Sequence, residues 1–262
     1  MVGLHLRKLF YNLQIPNQIG SVESFEYLSS IKFLGFVVLG YLLITHIVRI
    51  GMIAIYLLFI SSLAKEILKE KGINLVTFSI FNSVSTLASC GFVPTNENMI
   101  VFHKNSGLLL ILIPQILLGN TLYPSCLRFC IWVIGKFSKN DHQLKVDYLL
   151  KNSEEIEYLH LLPSLHSCLL VVTVFGFILI QFILICSMEW NSNALSGLNS
   201  YQKVVGILFL STNSRHTGET IVDISMLSST ILILFVVMLS VSLPLFSLSL
   251  SCMILFEESV IM

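Results

Sequence analysis

Four long apolar runs, separated by polar segments, organise this chain. They lie at about residues 31–63, 107–135, 168–188 and 227–256. Each is long enough to supply the roughly 20 mostly apolar residues that a helix needs to cross a bilayer. Between the first two lies FNSVSTLASCGFVPTNENM, residues 81–99, a Ser/Thr-rich stretch that reaches Gly91-Phe92 and then Pro94 and an Asn/Glu cluster. Between the last two lies LFLSTNSRHTGETIVDIS, residues 208–225. Non-helical polar backbone at membrane depth is tolerated only where protein buries it or where it lines a water-filled cavity. The pattern therefore predicts an all-α membrane protein of two helix–pore loop–helix units, with four transmembrane helices and two re-entrant pore hairpins. The expected segments are an N-terminal stretch 1–30, a first unit 31–135, a cytoplasmic linker 136–167, and a second unit 168–256 with a divergent C-terminal end.

Composition narrows the class. The chain is 55% hydrophobic and 11% charged, against about 25% charged for an average soluble domain. Soluble readings are excluded. Fifteen basic residues balance fifteen acidic ones, so no bulk charge points to nucleic acid as a partner. The opening MVGLHLRKLFYNLQIP is too polar for a secretory signal, and the first spanning helix is expected to act as the membrane signal. Basic residues in short loops favour the cytoplasm. Lys136, Lys139, Lys145 and Lys151, with Arg128 just before them, put the linker there. Arg7, Lys8 and Lys32 put the N-terminus on the same side. The hairpins then dip in from the outer face, although Lys65, Lys69 and Lys71 fall in the outer loop against this rule. The six cysteines follow no metal spacing. Five lie in apolar runs as small core residues, and Cys90 stands apart because it precedes Gly91.

The hairpins carry the candidate chemistry. Each has a short candidate pore helix, 75–88 and 201–213. Ser85-Thr86 precede Gly91, and Ser211-Thr212 precede Gly218. Identity between the halves is low, so the repeat rests on matching hydropathy, as in many transporters. A cation crossing a membrane must exchange its water shell for other oxygens, and extended backbone carbonyls can supply them. Glycine permits the positive φ this requires and removes a side chain from the path. Gly91 and Gly218 are the candidate filter residues, flanked by Ser89, Cys90 and Thr217. Pore helices aiming their C-terminal ends at the cavity favour cations. The competing explanation is that both glycines merely form loop turns. Glu97 either concentrates cations at the mouth or is a solvated loop charge. Arg215 facing the pore would repel cations, so it is expected to pair with Glu219 or Asp223 and brace the hairpin from behind. His216 is expected to make a structural hydrogen bond.

At these residues the chain resembles the plant high-affinity potassium/sodium transporters (HKT) of the Trk/Ktr superfamily. The stretches that carry the resemblance include SIKFLGFVVLGYLL at 30–43, CGFVPTNENMIVF at 90–102, NSGLLLILIPQILLGNTLYP at 105–124, LRFCIW at 127–132, YLHLLPSLHS at 158–167, MEWNS at 188–192 and NSRHTGETIVDIS at 213–225. The resemblance runs from about residue 20 to about 238. It implies four helix–pore loop–helix units around one path, each loop donating one filter residue, with Gly91 as the second filter glycine and Gly218 as the third. It further implies passive movement of sodium and/or potassium ions, without a cofactor, in the plasma membrane. The first and fourth units have no counterpart here, and the tail from about Leu239 does not match the family's continuation. The chain is thus expected to be a truncated, half-size member. The alternative to a transporter is a non-conducting fragment that assembles with full-length relatives and modulates them; separately, two copies of the chain itself would restore four units.

Weaker features remain open. Arg49 lies near the middle of the first apolar run, where a charge costs about 2.5–3.5 kcal/mol on insertion scales. It either faces the protein interior or is a drifted position. His160 and His166 straddle Pro163 and read as packing residues. Asn120 and Thr121 are placed to bond the neighbouring hairpin. No paired carboxylates, nucleophile triad or metal cluster supports a membrane-embedded enzyme.

Overall fold

The structure, a computed structural model, describes residues 23–119, 121–138, 140–153, 158, 160–216 and 218–238, with the side chains of 23–28, 140–142, 215 and 216 outside the description. Every regular element among the described residues is helical. We number the α-helices α1 Glu23–Ile55, α2 Ser62–Glu70, α3 Leu75–Leu87, α4 Ser106–Gly119, α5 Tyr123–Phe137, α6 Asn140–Lys151, α7 Ser164–Glu189, α8 Ser200–His216 and α9 Ser229–Met238. The chain is an all-α membrane protein.

Two helical stretches are long and apolar enough to cross a bilayer, Ser29–Ile60 and Ser164–Glu189. The first is α1 continued by a π-helical turn, Tyr56–Ile60. The run expected to span from 107 to 135 is not one helix. It stops at Gly119 and resumes at Tyr123, and it counts as a third span only if α4 and α5 are taken together. Local chemistry explains the break. Glycine weakens a helix interior, and Pro124 in the first turn of α5 fits a helix start better than a helix middle. Of the fourth apolar run, α9 is the described part.

The chain divides into two compact units. One comprises the residues up to Ile47 together with Leu122–Val171. Ile31, Leu34, Val38 and Tyr41 recur at three- and four-residue spacing on α1 and share a core with Tyr123, Leu127 and Ile131 of α5. Val146 and Leu149 of α6 complete that core, so part of the expected polar linker folds as a helix around two apolar anchors. Gly135 makes room for it: a Cβ there would lie 2.6 Å from Val146 Cγ1. Arg128 ties the same unit together by donating to the Leu162 and Leu150 carbonyls. The Tyr123 and Tyr158 hydroxyls meet at 3.1 Å, with the His160 ring edge-on to both.

The other unit comprises Val48–Thr121 and the chain from Val172 onward. Here α4 packs against both α3 and α8. Leu108, Leu109, Leu112 and Ile116 of α4 join Phe78 of α3 and Val205, Phe209 and Leu210 of α8 in one core. Both predicted hairpins belong to this unit. Their helices are observed as α3 and α8, close to the expected 75–88 and 201–213.

Candidate ion-path hairpins

The first hairpin begins with α3, capped by the Asn74 side chain, which accepts from the Val76 N–H at 2.9 Å. One face of α3 is polar and yet buried: Ser79, Asn82, Ser83, Ser85 and Thr86 are all shielded. This is unusual for a helix of such apolar surroundings and marks it as built around polar contacts. The helix ends in a Schellman arrangement. Ser89 takes a left-handed φ of 54°, its N–H donates to the Thr86 carbonyl at 3.3 Å, and the Cys90 N–H donates to the Ser85 carbonyl at 3.0 Å. Gly91 follows with φ 71°. The Ser85 hydroxyl then accepts from the Phe92 N–H at 3.0 Å, which fixes the chain on both sides of Gly91. Ser89 and Gly91 are half-buried, whereas Cys90 and Phe92 are exposed.

The return limb is also held locally. The Thr95 hydroxyl donates to the Asn98 carbonyl, and Asn98 adopts φ 56°. Asparagine tolerates that left-handed region better than most residues. Glu97 is exposed and sits 2.5 Å from the Lys71 ammonium, whose hydrogen bond holds its carboxyl below the ordinary carboxylate range.

In the second hairpin, α8 carries a buried polar run, Ser211 to Ser214, near its C-terminus. The Ser211 and Thr212 hydroxyls bond back to carbonyls four residues earlier, and the Ser214 hydroxyl donates to the Gln181 side chain of α7 at 2.8 Å. The Gly218 N–H donates to the Asn213 carbonyl at 3.1 Å, and Gly218 has φ 75°. In the first hairpin the amide that reaches back five residues belongs to Cys90; in the second it belongs to Gly218 itself. The two turns share this return bond but are offset by one residue at their glycines. A Cβ added to Gly218 would meet nothing within 4 Å, so the open space beside it and its positive φ, rather than crowding, set it apart.

The expected supports fall differently. Thr217 lies outside the described residues, and of Arg215 only its place in α8 is described. Glu219 is fully buried and accepts, through Oε1, a 3.0 Å hydrogen bond from the Thr86 hydroxyl of the first hairpin. Asp223 is exposed and caps its own turn, accepting from the Ser225 N–H and hydroxyl, which hold its carboxyl below the ordinary range. Two further links join the hairpins: the Met99 N–H donates to the Thr220 carbonyl at 3.1 Å, and the Thr220 N–H points to Asn98 Oδ1 at 3.4 Å. The partners Thr86, Asn98 and Thr220 were not legible as such. The only sequence signal was Thr86 in the Ser/Thr pair before Gly91. Among the described residues no group of three or more His, Cys, Asp or Glu side chains is arranged to hold a metal ion.

Comparison with known proteins is consistent with this architecture. Residues 21–250 match the TrkH family, described as cation transport protein. The chain is 51% identical over 203 residues to "Sodium transporter HKT1" of Arabidopsis thaliana, covering 78% of this chain and 39% of that protein. It is 48% identical over 238 residues to "Cation transporter HKT1;3" of Oryza sativa subsp. japonica, covering 90% of this chain and 43% of that protein. A more distant relative, "High-affinity potassium transport protein" of Saccharomyces cerevisiae, is 27% identical over 232 residues. The chain thus spans well under half the length of these relatives. With the family matched over most of its residues, the chain belongs to the TrkH family of cation transport proteins.

Proposed function

We propose that this chain forms part of a path for monovalent cations, sodium and/or potassium, across the plasma membrane. One observation carries the reading: two pore helices, each with buried polar residues toward its C-terminus, lead into turns whose glycines, Gly91 and Gly218, have positive φ, and both turns lie in one compact unit. Main-chain carbonyls at these glycines, with those of Ser89, Cys90 and Thr217, are the proposed ligands that replace the ion's hydration shell. Glu219 holds the second turn in shape through Thr86, Asp223 caps the turn at 224–226 that follows it, and Arg215 is assigned a bracing role beside them. The proposed segments are 31–135 and 168–256 as pore units and 136–167 as a cytoplasmic linker. The relatives' printed names are all of transporters, which supports reading the chain as a transport protein rather than an enzyme.

Two hairpins supply half of a four-membered ring. One face of α3 is apolar and exposed at Val76, Ile80, Phe81 and Val84, and the last three of these, with Cys90 and Phe92, border a groove of about 480 Å³. A further pore unit packed there, from a second copy or a full-length relative, would shield hairpin backbone that is costly to leave against lipid. This favours a second reading, in which the chain conducts only in such an assembly.

Sodium and potassium uptake into cells expressing the chain alone tests the proposal. Uptake above that of empty cells supports it directly. No uptake alone, together with altered uptake on co-expression with a full-length relative, selects the second reading. No effect in either setting overturns both.

A further inference from the structure

We infer that Glu219 is a positioning residue that locks the two glycine turns to one another through Thr86. Glu219 directly follows Gly218 in the second hairpin. Thr86 lies in the last turn of α3, five residues before Gly91. Its carbonyl accepts from Ser89 and its hydroxyl donates to Glu219 Oε1 at 3.0 Å. The same side chain position is therefore tied to both turns at once. Moving Thr86 moves the Ser89–Gly91 turn through the main chain, and moving Glu219 moves Gly218 through one peptide bond. The neighbouring residue extends the junction, because Thr220 bonds to Met99 through its carbonyl and points its N–H at Asn98 Oδ1.

The choice of residue argues for more than packing. Glu219 has no exposed surface, and its second oxygen, Oε2, is buried without a hydrogen-bond partner. Burying a carboxyl without full pairing is costly. A leucine or methionine would fill the space without that cost. What the carboxyl adds is an acceptor oxygen aimed at the opposite hairpin, which an apolar side chain cannot supply. Asn82, one helical turn before Thr86 on the same face, is also buried with its amide unpartnered. The polar face of α3 is thus anchored to the second hairpin at Thr86 and Glu219.

The consequence for transport rests on the ion-path reading above, but the lock itself can be measured without any ion flux. Cys90 is exposed, adjoins Gly91, and serves as a native reporter of the first turn. In full-length chain reconstituted in liposomes, with Cys126, Cys130, Cys168, Cys186 and Cys252 changed to serine, the rate of Cys90 labelling by a water-soluble maleimide is followed. Glu219→Ala, in the other hairpin, is expected to change that rate about fivefold, and Thr86→Val by a similar factor, as a coupling of ordinary size gives. The double variant should change it no further, and Glu219→Gln, which keeps the acceptor, should stay within about twofold of the parent. Unchanged labelling in Glu219→Ala, or effects of the two changes that multiply independently, overturns the inference. If Glu219→Ala fails to reach the membrane, Thr86→Val against Glu219→Gln carries the same comparison. A chain that shows the coupling yet moves neither sodium nor potassium in any assembly leaves the lock standing and removes only the proposed function.

Discussion

Arg49 Nη2 donates to the main-chain carbonyl of Gln115 at 2.5 Å, joining the first spanning helix to α4 one residue after Pro114. Arg49 is only 3% exposed. Of the two readings open from the sequence, the structure selects the interior one: the guanidinium is turned into the protein and braces α4. Arg49→Ala removes a charged donor and leaves a void. It is expected to destabilise the purified protein in mild detergent by about 2–4 kcal/mol. An unfolding midpoint equal to that of the parent would show that the bond contributes nothing.

A second close approach sits nearby. A Cβ on Gly119 would lie 2.9 Å from the Leu87 Cα and 3.1 Å from its carbonyl oxygen. Both are backbone atoms of the pore helix, so no side chain can swing aside. Gly119→Ala is expected to cost about 1–3 kcal/mol through overpacking. Gly51→Ala, where nothing lies within 4 Å, is the control. It should be neutral or slightly stabilising, since alanine favours a helix interior by about 0.5–1 kcal/mol over glycine. Thermal unfolding of both variants side by side checks the contrast.

Gly91 and Gly218 both have positive φ, and at Gly218 there is room for a side chain. Gly218→Ala is therefore expected to fold, paying only the left-handed backbone cost of about 1–2 kcal/mol. Gly91→Leu and Gly218→Leu would place bulk beside the proposed path, and each should abolish cation uptake while the chain still reaches the membrane. Uptake that survives both leucine variants removes these glycines from the proposed path.

The Lys71–Glu97 pair gives a pH-dependent prediction with a definite sign. The Lys71 hydrogen bond, first among its causes, lowers the Glu97 carboxyl below its ordinary 4.5. A depressed folded-state value means that the contribution is present above the unfolded value and is lost as pH falls through the folded one. Lys71→Gln, or high salt, should return Glu97 toward its ordinary value, because exposed pairs are readily screened. Carboxyl-resolved NMR titration of the protein in detergent micelles reads this directly. A Glu97 titration that is unmoved by Lys71→Gln would contradict the pairing.

Much of the scaffold was legible from patterning. The α3 and α8 boundaries follow from where apolar runs give way to Ser/Thr-rich segments, and the membrane class follows from the scarcity of charge. The break between α4 and α5 was less legible, because a hydropathy window averages over Gly119 and Pro124 and sees one apolar run. The helix α6 was hidden for the opposite reason. Val146 and Leu149 are two apolar residues in a charged stretch, and only the core formed with α1 and α5 shows why they fold as they do.

The sequence by itself determined the membrane class, the pore-helix segments and the two glycine turns. Each is a local property: hydropathy over one run, or a residue that accepts positive φ. Only the tertiary structure decided which polar groups meet. The fold brings Glu219 to Thr86, 133 positions earlier, a pairing that no spacing in the sequence marks. Arg49 likewise finds its acceptor on a main-chain carbonyl, a group every residue carries and no motif marks. A buried polar atom takes whichever partner packing brings within hydrogen-bond distance, and that is settled by helices meeting in space rather than by spacing along the chain.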